Sequence, residues 1–209
     1  MKKVHIPSMV KNNQKIRKRR NQILEASIQP FKEKGFHRTT TREIAENAGM
    51  SFGAIYEYVE SKEDILYLFF EALYDQLNNI LKSRVSDQFK GLERLRSFVK
   101  QYFQVINEIG QATSIMYSES RSLPKPYLEY VLTKENDFVQ YVMDIFSKSL
   151  EEENISLDEE EIYLLTHNII VQGHMWAFRG WALKDRFTLE KYTDVQTKTL
   201  IGSISALTE

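Results

Sequence analysis

The 209-residue chain is 42% hydrophobic with only eight Gly and four Pro, which excludes a disordered or turn-rich β chain and favours helices. It has no Cys, which excludes disulfides, a thiolate metal site and a Cys nucleophile. A net charge of −1 conceals an asymmetry: residues 1–62 hold 13 Lys/Arg against 6 Asp/Glu, a surplus of seven, and the remainder holds 15 against 23, a deficit of eight. A basic head on an acidic body suits a polyanionic partner. The most apolar stretches, such as Ile65–Phe70, are too short for a signal peptide or a bilayer span, so a cytoplasmic chain with no membrane partner is expected.

In chain order, residues 1–15 read as a flexible basic arm. A helical pattern runs from Ile16 to Lys34, with Ile23, Leu24, Ala26, Ile28 and Phe31 inward and Gly35 in the position of a left-handed cap. Pro30 lies inside it, removes a backbone donor and is expected to kink or break it. Thr40 with Glu43 makes a capping box that starts a second helix, ended by Gly49. A third short helix runs from Ser51 or Phe52 to Tyr58. Ser61 caps a fourth, with Asp64 in its first turn, and apolar residues carry it toward Lys82.

The body is expected to hold five more helices, at 91–109, 111–121, 125–152, 158–183 and 188–206, for about nine in all. Gly91, Gly110, Pro124 and Pro126 punctuate the first three. Ser156 with Glu159 is a second capping box, and Thr188 can cap the last helix. No strand pattern or internal repeat is present. The fold class is therefore all-α: a three-helix head at 16–76 and a helical body at 77–209.

The head carries the pattern with function. Two short helices joined at Gly49 form a helix-turn-helix over Thr40–Val59. Ala45 allows close approach, and Ile44, Ala48 and Ile55 bind the pair to the first helix. The outward residues of the second short helix are then free to enter a major groove.

From Ile16 to Glu71 the order of residues resembles the TetR/AcrR family. The run is Ile23-Leu24…Ala26…Phe31…Gly35-Phe36, then Thr40-Thr41…Ile44-Ala45…Ala48-Gly49, then Ile55-Tyr56…Tyr58-Val59…Ser61-Lys62-Glu63-Asp64-Ile65. The resemblance implies a homodimeric, operator-binding regulator, a repressor, that releases double-stranded, pseudo-palindromic DNA when a small effector binds the body. It also implies site residues. Thr40, Thr41 and Arg42 open the first motif helix near DNA, and Ser51, Phe52 and Gly53 open the recognition helix. Tyr56, Tyr58 and Lys62 match phosphate-holding positions. Hydroxyl and ammonium groups suit phosphate oxygens and Arg reads guanine. Packing remains the alternative for Tyr56, and plain solvation for Lys62.

The body shows no Gly-rich phosphate loop, nucleophile elbow or HExxH, so neither an enzyme nor a cofactor is expected. His167 and His174 lie about 10 Å apart along one helix, too far to chelate a metal as a pair. Phe103, Ile106, Asn107, Gln111, Ser114, Met116, Tyr117 and Arg121 are candidates to line a mainly apolar effector cavity. Gly173 and Gly180, seven apart, with His174, Trp176 and Trp181, are candidates for the dimer interface that the family resemblance places on the last two helices. The stretch His174–Leu183 followed by Phe187–Tyr192 resembles TetR-type regulators of lipid and acyl-CoA metabolism, which implies an effector of fatty acyl type. Its anionic end would pair with Arg121 or Arg179. A lipophilic cation would instead want a buried carboxylate, for which Glu119 is the candidate. The competing function is a DNA-binding dimer with no effector, architectural or activating, which a solid body core would favour.

Overall fold

The computed structural model describes residues 3–85 and 88–208, and the described residues contain helices and no strand. The helices are α1 (Asn13–Arg38), α2 (Thr41–Asn47), α3 (Phe52–Ile55), α4 (Lys62–Arg84), α5 (Gly91–Glu108) and α6 (Gly110–Glu119). A 3-10 turn at Ser120–Ser122 follows, then α7 (Lys125–Glu152), α8 (Glu159–Phe178), α9 (Gly180–Leu183) and α10 (Leu189–Leu207). The all-α class expected from the sequence is observed.

Local chemistry explains the boundaries. Asn12 caps α1 by accepting a hydrogen bond from the Lys15 amide at 3.0 Å, so the helix begins before Ile16. Pro30 does not break it. Its ring is buried beside Phe31, and the non-helical residue within the span is Gly35, at φ 77° and ψ 167°. That φ lies where a side chain would strain the backbone, so the bend falls on glycine. Ser61 Oγ accepts from the Asp64 amide at 3.1 Å while Asp64 Oδ2 accepts from the Ser61 amide at 3.1 Å, a reciprocal cap for α4. The reciprocal cap of α8 is made by Asp158 and Glu161 instead of the expected Ser156 and Glu159. The expected 158–183 helix is interrupted at Arg179 (φ −103°, ψ 19°), which separates α8 from α9.

The chain forms two compact units. One takes residues up to Tyr74 together with Ser114–Lys134, and the other takes Asp75–Thr113 together with residues from Glu135 onward. The expected head ended at residue 76 and held nothing from the body, so the inclusion of 114–134 is a departure from the sequence-based division.

In the first unit Ile23, Phe31, Phe36, Ile44, Ile55, Ile65 and Phe69 form the core. Phe31 packs on Phe36 and Phe69 with ring centroids 5.7 and 6.5 Å apart. Each such side chain contributes about 1.5–3 kcal/mol on burial. Tyr127 is tied into the same unit: it stacks near Tyr67 at 4.7 Å and donates to Asp64 Oδ1 at 2.6 Å.

The second unit is organised around α5. Its buried positions Leu95, Phe98, Val99, Tyr102, Phe103, Val105 and Ile106 recur every three or four residues, one face of a helix. Tyr102 stacks on Phe98 at 5.8 Å with ring planes 3° apart, and donates to the Ile170 carbonyl at 3.0 Å. Trp176 and Tyr192 pack 5.0 Å apart, joining α8 to α10.

Within the segment 1–15 expected to be a flexible arm, residues 3–9 are tied to the rest of the first unit. Ile6 is 3% exposed, and the carbonyls of Val4, Ile6 and Pro7 accept side-chain hydrogen bonds from Tyr67 and Arg20. One buried isoleucine and these satisfied carbonyls offset the entropy of ordering the segment.

Candidate nucleic-acid interface

The interface is built on a rigid inner face. Ile44, Ala45, Ala48 and Ile55 are all buried, with α2 packed on α1 and α3 packed on α2. Gly49 joins them at φ 63°, where an L side chain is strained. Gln22 of α1 donates to the Ala48 carbonyl at this turn and accepts from Arg19 at 2.9 Å.

The outer face carries the groups expected to meet DNA. Thr40 Oγ1 accepts from the Glu43 amide at 3.2 Å and so caps α2. The Glu43 carboxylate does not close the box; it lies 2.7 Å from Lys34 Nζ. Ser51 Oγ caps α3 through the Ala54 amide at 3.2 Å. Thr40, Arg42, Ser51, Phe52 and Gly53 are exposed, and Thr41 is half-buried. Gly53 has open space where a Cβ would project.

Two of these side chains, Arg42 and Phe52, form a row with the half-buried Tyr56. The Arg42 guanidinium lies 5.0 Å over the Phe52 ring, and Phe52 meets Tyr56 edge-on at 5.3 Å. Phe52 is 45% exposed, unlike the aromatic core beneath it. A cation over an aromatic face gains about 0.5–1 kcal/mol at an exposed site and restricts the arginine's rotamers. The row therefore presents a planar donor fork, an apolar edge and a phenol side by side. That set can read a base edge, touch a thymine methyl and reach a phosphate.

Two expected phosphate contacts are placed differently. Tyr58 is 2% exposed, inside the first unit's core; α3 ends at Ile55, so Tyr58 lies in the turn beyond it and faces inward. Lys62 Nζ donates to the carbonyls of Phe36, His37 and Thr39 at 2.7, 3.2 and 2.8 Å and lies 4.3 Å over the Phe36 ring. These carbonyls close the end of α1, where the helix dipole is negative. Lys62 is thus a C-terminal cap. Burial lowers its pKa from the usual lysine value, against the opposing fields of Glu63 and Glu119.

The residues proposed to line an effector cavity fall in both units. Phe103 and Ile106 are fully packed in the second unit, with Phe103 against Tyr102 and Tyr192. Asn107 is exposed and accepts from Trp176 Nε1 at 2.8 Å, and Gln111 is exposed. In the first unit, Met116 Sδ accepts from Tyr74 at 3.4 Å, Ser114 is half-buried, and Tyr117 and Arg121 face solvent. A groove of about 500 Å³ in the second unit is lined by Lys100, Gln104, Leu189, Glu190, Thr193 and Asp194, none of them foreseen. Arg179 is exposed and lies 5.6 Å over Trp181; Glu119 is buried and accepts from Ser122 at 3.2 Å.

The dimer candidates also divide. Gly173, His174 and Trp176 are buried within the chain's own core, Gly180 is half-buried, and Trp181 is exposed. Besides Trp181, the exposed apolar residues of these helices are Tyr163, Leu164, Val171 and Phe178 on α8, and Val195 and Leu207 on α10.

Residues 23–67 match the family described as bacterial regulatory proteins, tetR family. The HTH-type transcriptional regulator HbdR of Aromatoleum sp. (strain CIB) is 30% identical over 191 residues, covering 90% of this chain and 82% of that protein. Among solved structures, a bacterial regulatory protein in the tetR family from Rhodococcus RHA1 superposes with a TM-score of 0.76 at 19% identity, over 91% of this chain and 97% of that one. AibR, solved in complex with isovaleryl coenzyme A and operator DNA, gives 0.73 at 20% identity, over 87% and 97%. Among the described residues, no helix is long and apolar enough to cross a membrane.

Proposed function

The chain belongs to the TetR family of DNA-binding transcriptional repressors and is not an enzyme; from that footing we propose that it acts as a homodimer on a pseudo-palindromic operator and lets go when an acyl-type effector binds. The observation that carries the DNA half is the row of exposed Arg42 and Phe52 with half-buried Tyr56, above a buried helix-turn-helix interior. Thr40, Thr41, Ser51 and Gly53 flank it at the two capped helix starts, where free backbone amides favour phosphate. In a two-fold dimer, two such rows would meet half-sites about 34 Å apart or slightly more. The dimer face in this proposal is the exposed apolar set on α8 and α10.

The effector half rests on likeness. AibR was solved with isovaleryl coenzyme A, and the stretch His174–Tyr192 resembles regulators of acyl metabolism. An effector releases DNA when it binds better to a conformation that cannot hold the operator. One observation favours the second reading, a dimer with no effector: Phe103 and Ile106 are 0% and 1% exposed, packed as solid core.

Selection of bound duplexes from a random pool yields the operator. Anisotropy titration of the protein–operator complex with acyl-CoAs of varied chain length, and with a lipophilic cation, then separates the readings. Release by an acyl-CoA at tens of micromolar supports the first. Release by none supports the second, and release by the cation alone overturns the acyl assignment.

A further inference from the structure

Helix α3 has only four residues, and a short turn of i→i+3 bonds with buried Tyr58 and Val59 follows it. The chain that leaves it, Glu57 and Tyr58, is held from outside. Ser8 Oγ and the Met9 amide both donate to the Glu57 carbonyl, at 2.7 and 3.0 Å. Arg20 Nε donates to the Tyr58 carbonyl at 3.0 Å. The same guanidinium reaches back through Nη2 to the Ile6 and Pro7 carbonyls at 2.8 and 3.0 Å. Arg20 thus joins three pieces of backbone: the N-terminal segment, α1 and the turn behind Tyr56.

The far end of the segment is fastened as well. Tyr67 donates to the Val4 carbonyl at 3.4 Å, and Lys3 Nζ lies 2.6 Å from Glu71. Ile6 fills the space between these ties. Asp64 and Glu71 add a favourable field at the half-buried guanidinium, which keeps its place without a carboxylate partner of its own. The Arg20 fork uses two nitrogens on different edges, Nε toward Tyr58 and Nη2 toward Ile6 and Pro7, a spread that the single nitrogen of an ammonium does not offer.

We propose that residues 3–9 form a fixed strap that positions the recognition helix, with Arg20 as the positioning residue. The strap sets the height of Tyr56 through Glu57 and Tyr58. Through the edge-on contact of Tyr56 with Phe52, it also sets the row that faces DNA. Its contribution is to the geometry of base reading and not to the count of phosphate contacts.

The test uses the full-length protein, its selected operator and a scrambled duplex of equal length. The variants are Arg20→Lys, Ser8→Ala and a chain lacking residues 2–9. Arg20→Lys and the truncation are expected to lower operator affinity by about ten-fold or more, the scale of losing hydrogen bonds to a charged group. Affinity for scrambled DNA should change by less than about two-fold, and the salt dependence on scrambled DNA should stay the same. Ser8→Ala should give a smaller loss of the same kind. Two results would overturn the proposal. One is an unchanged ratio of operator to scrambled affinity in the truncated chain. The other is a parallel fall on both duplexes with a shallower salt slope, which would make the segment a phosphate contact only. If Arg20→Lys does not fold, Ser8→Ala and the truncation decide the matter by the same ratio.

Discussion

Gly173 of α8 lies against the ring of Tyr102 of α5, so closely that a Cβ there would collide with Tyr102 Cε1 and sit 3.0 Å from Cζ. The ring cannot retreat, because Tyr102 is fully buried, stacked on Phe98 and hydrogen-bonded to the Ile170 carbonyl. A glycine in mid-helix therefore serves the packing of one chain. Gly173→Ala is expected to lower stability by about 1–3 kcal/mol through overpacking. Urea unfolding checks this. An unchanged midpoint would mean that α5 and α8 separate more easily than their packing implies.

Lys62 leads to a second expectation. A lysine that held a phosphate would, once removed, reduce the salt slope of DNA binding by about 1. A lysine that caps α1 would not. We expect Lys62→Met to destabilise the fold by about 1–2 kcal/mol, since the carbonyls of Phe36, His37 and Thr39 lose the ammonium, with the Thr39 amide still donating to Phe36. The slope of log affinity against log salt should stay the same. Anisotropy at four salt concentrations, with a thermal melt of the same variant, separates the two roles.

Burial holds His174 neutral, taking its pKa from 6.5 down to about 4. The unfolded chain takes up this proton near pH 6.5, while the folded chain resists it until about 4. The group's contribution is therefore fully present above pH 6.5 and is lost as pH falls toward 4, by about 3 kcal/mol in all. Other groups titrate in the same range, so the informative quantity is the difference between the native protein and His174→Gln. That difference should shrink steadily between pH 7 and pH 4 in chemical denaturation. A constant difference would place the proton elsewhere.

What could be read from the sequence was local. Ile44, Ala45, Ala48, Gly49 and Ile55 stand within a dozen residues of one another, and their helical spacing alone told which sides face inward. Lys62 and Tyr67 find their partners 23–26 and 63 residues away. No periodicity reports such pairings, so the cap and the strap were missed. The dimer candidates divide for a different reason. Size and aromaticity drew notice to His174 and Trp176, yet the phase of α8 puts them on the same buried side as Leu165, Ile169 and Ile170. Leu164 and Val171 lie on the exposed side of the same helix, and Trp181, beyond the break at Arg179, is exposed as well. Pro30 shows a rule overridden by context: a buried ring kept in line by its neighbours, with the bend falling five residues later at Gly35.

The proposed dimer face yields the last expectation. On α8, Leu164 and Val171 are seven apart and share one outward side, with exposed Tyr163 beside it. On α10, Val195 and Leu207 are exposed, and Gly202 between them has nothing within 4 Å of a would-be Cβ. Apolar side chains left in water on two adjoining helices gain roughly 25 cal/mol per Å² once covered. A glycine among them admits a close helix neighbour. Gly202 also makes a cleaner probe than Gly173, because its space is free within the chain. Gly202→Leu should leave the single chain's fold intact but hold a partner helix off. Val171→Glu would bury a charge without a partner if the face closes. Both variants are expected to sediment as folded monomers at micromolar concentration, with native helical content by circular dichroism. Operator affinity should fall by far more than the loss of one half-site contact, because the second head no longer arrives with the first. Dimers that persist in both variants, with operator affinity unchanged, would move the subunit contact to another surface.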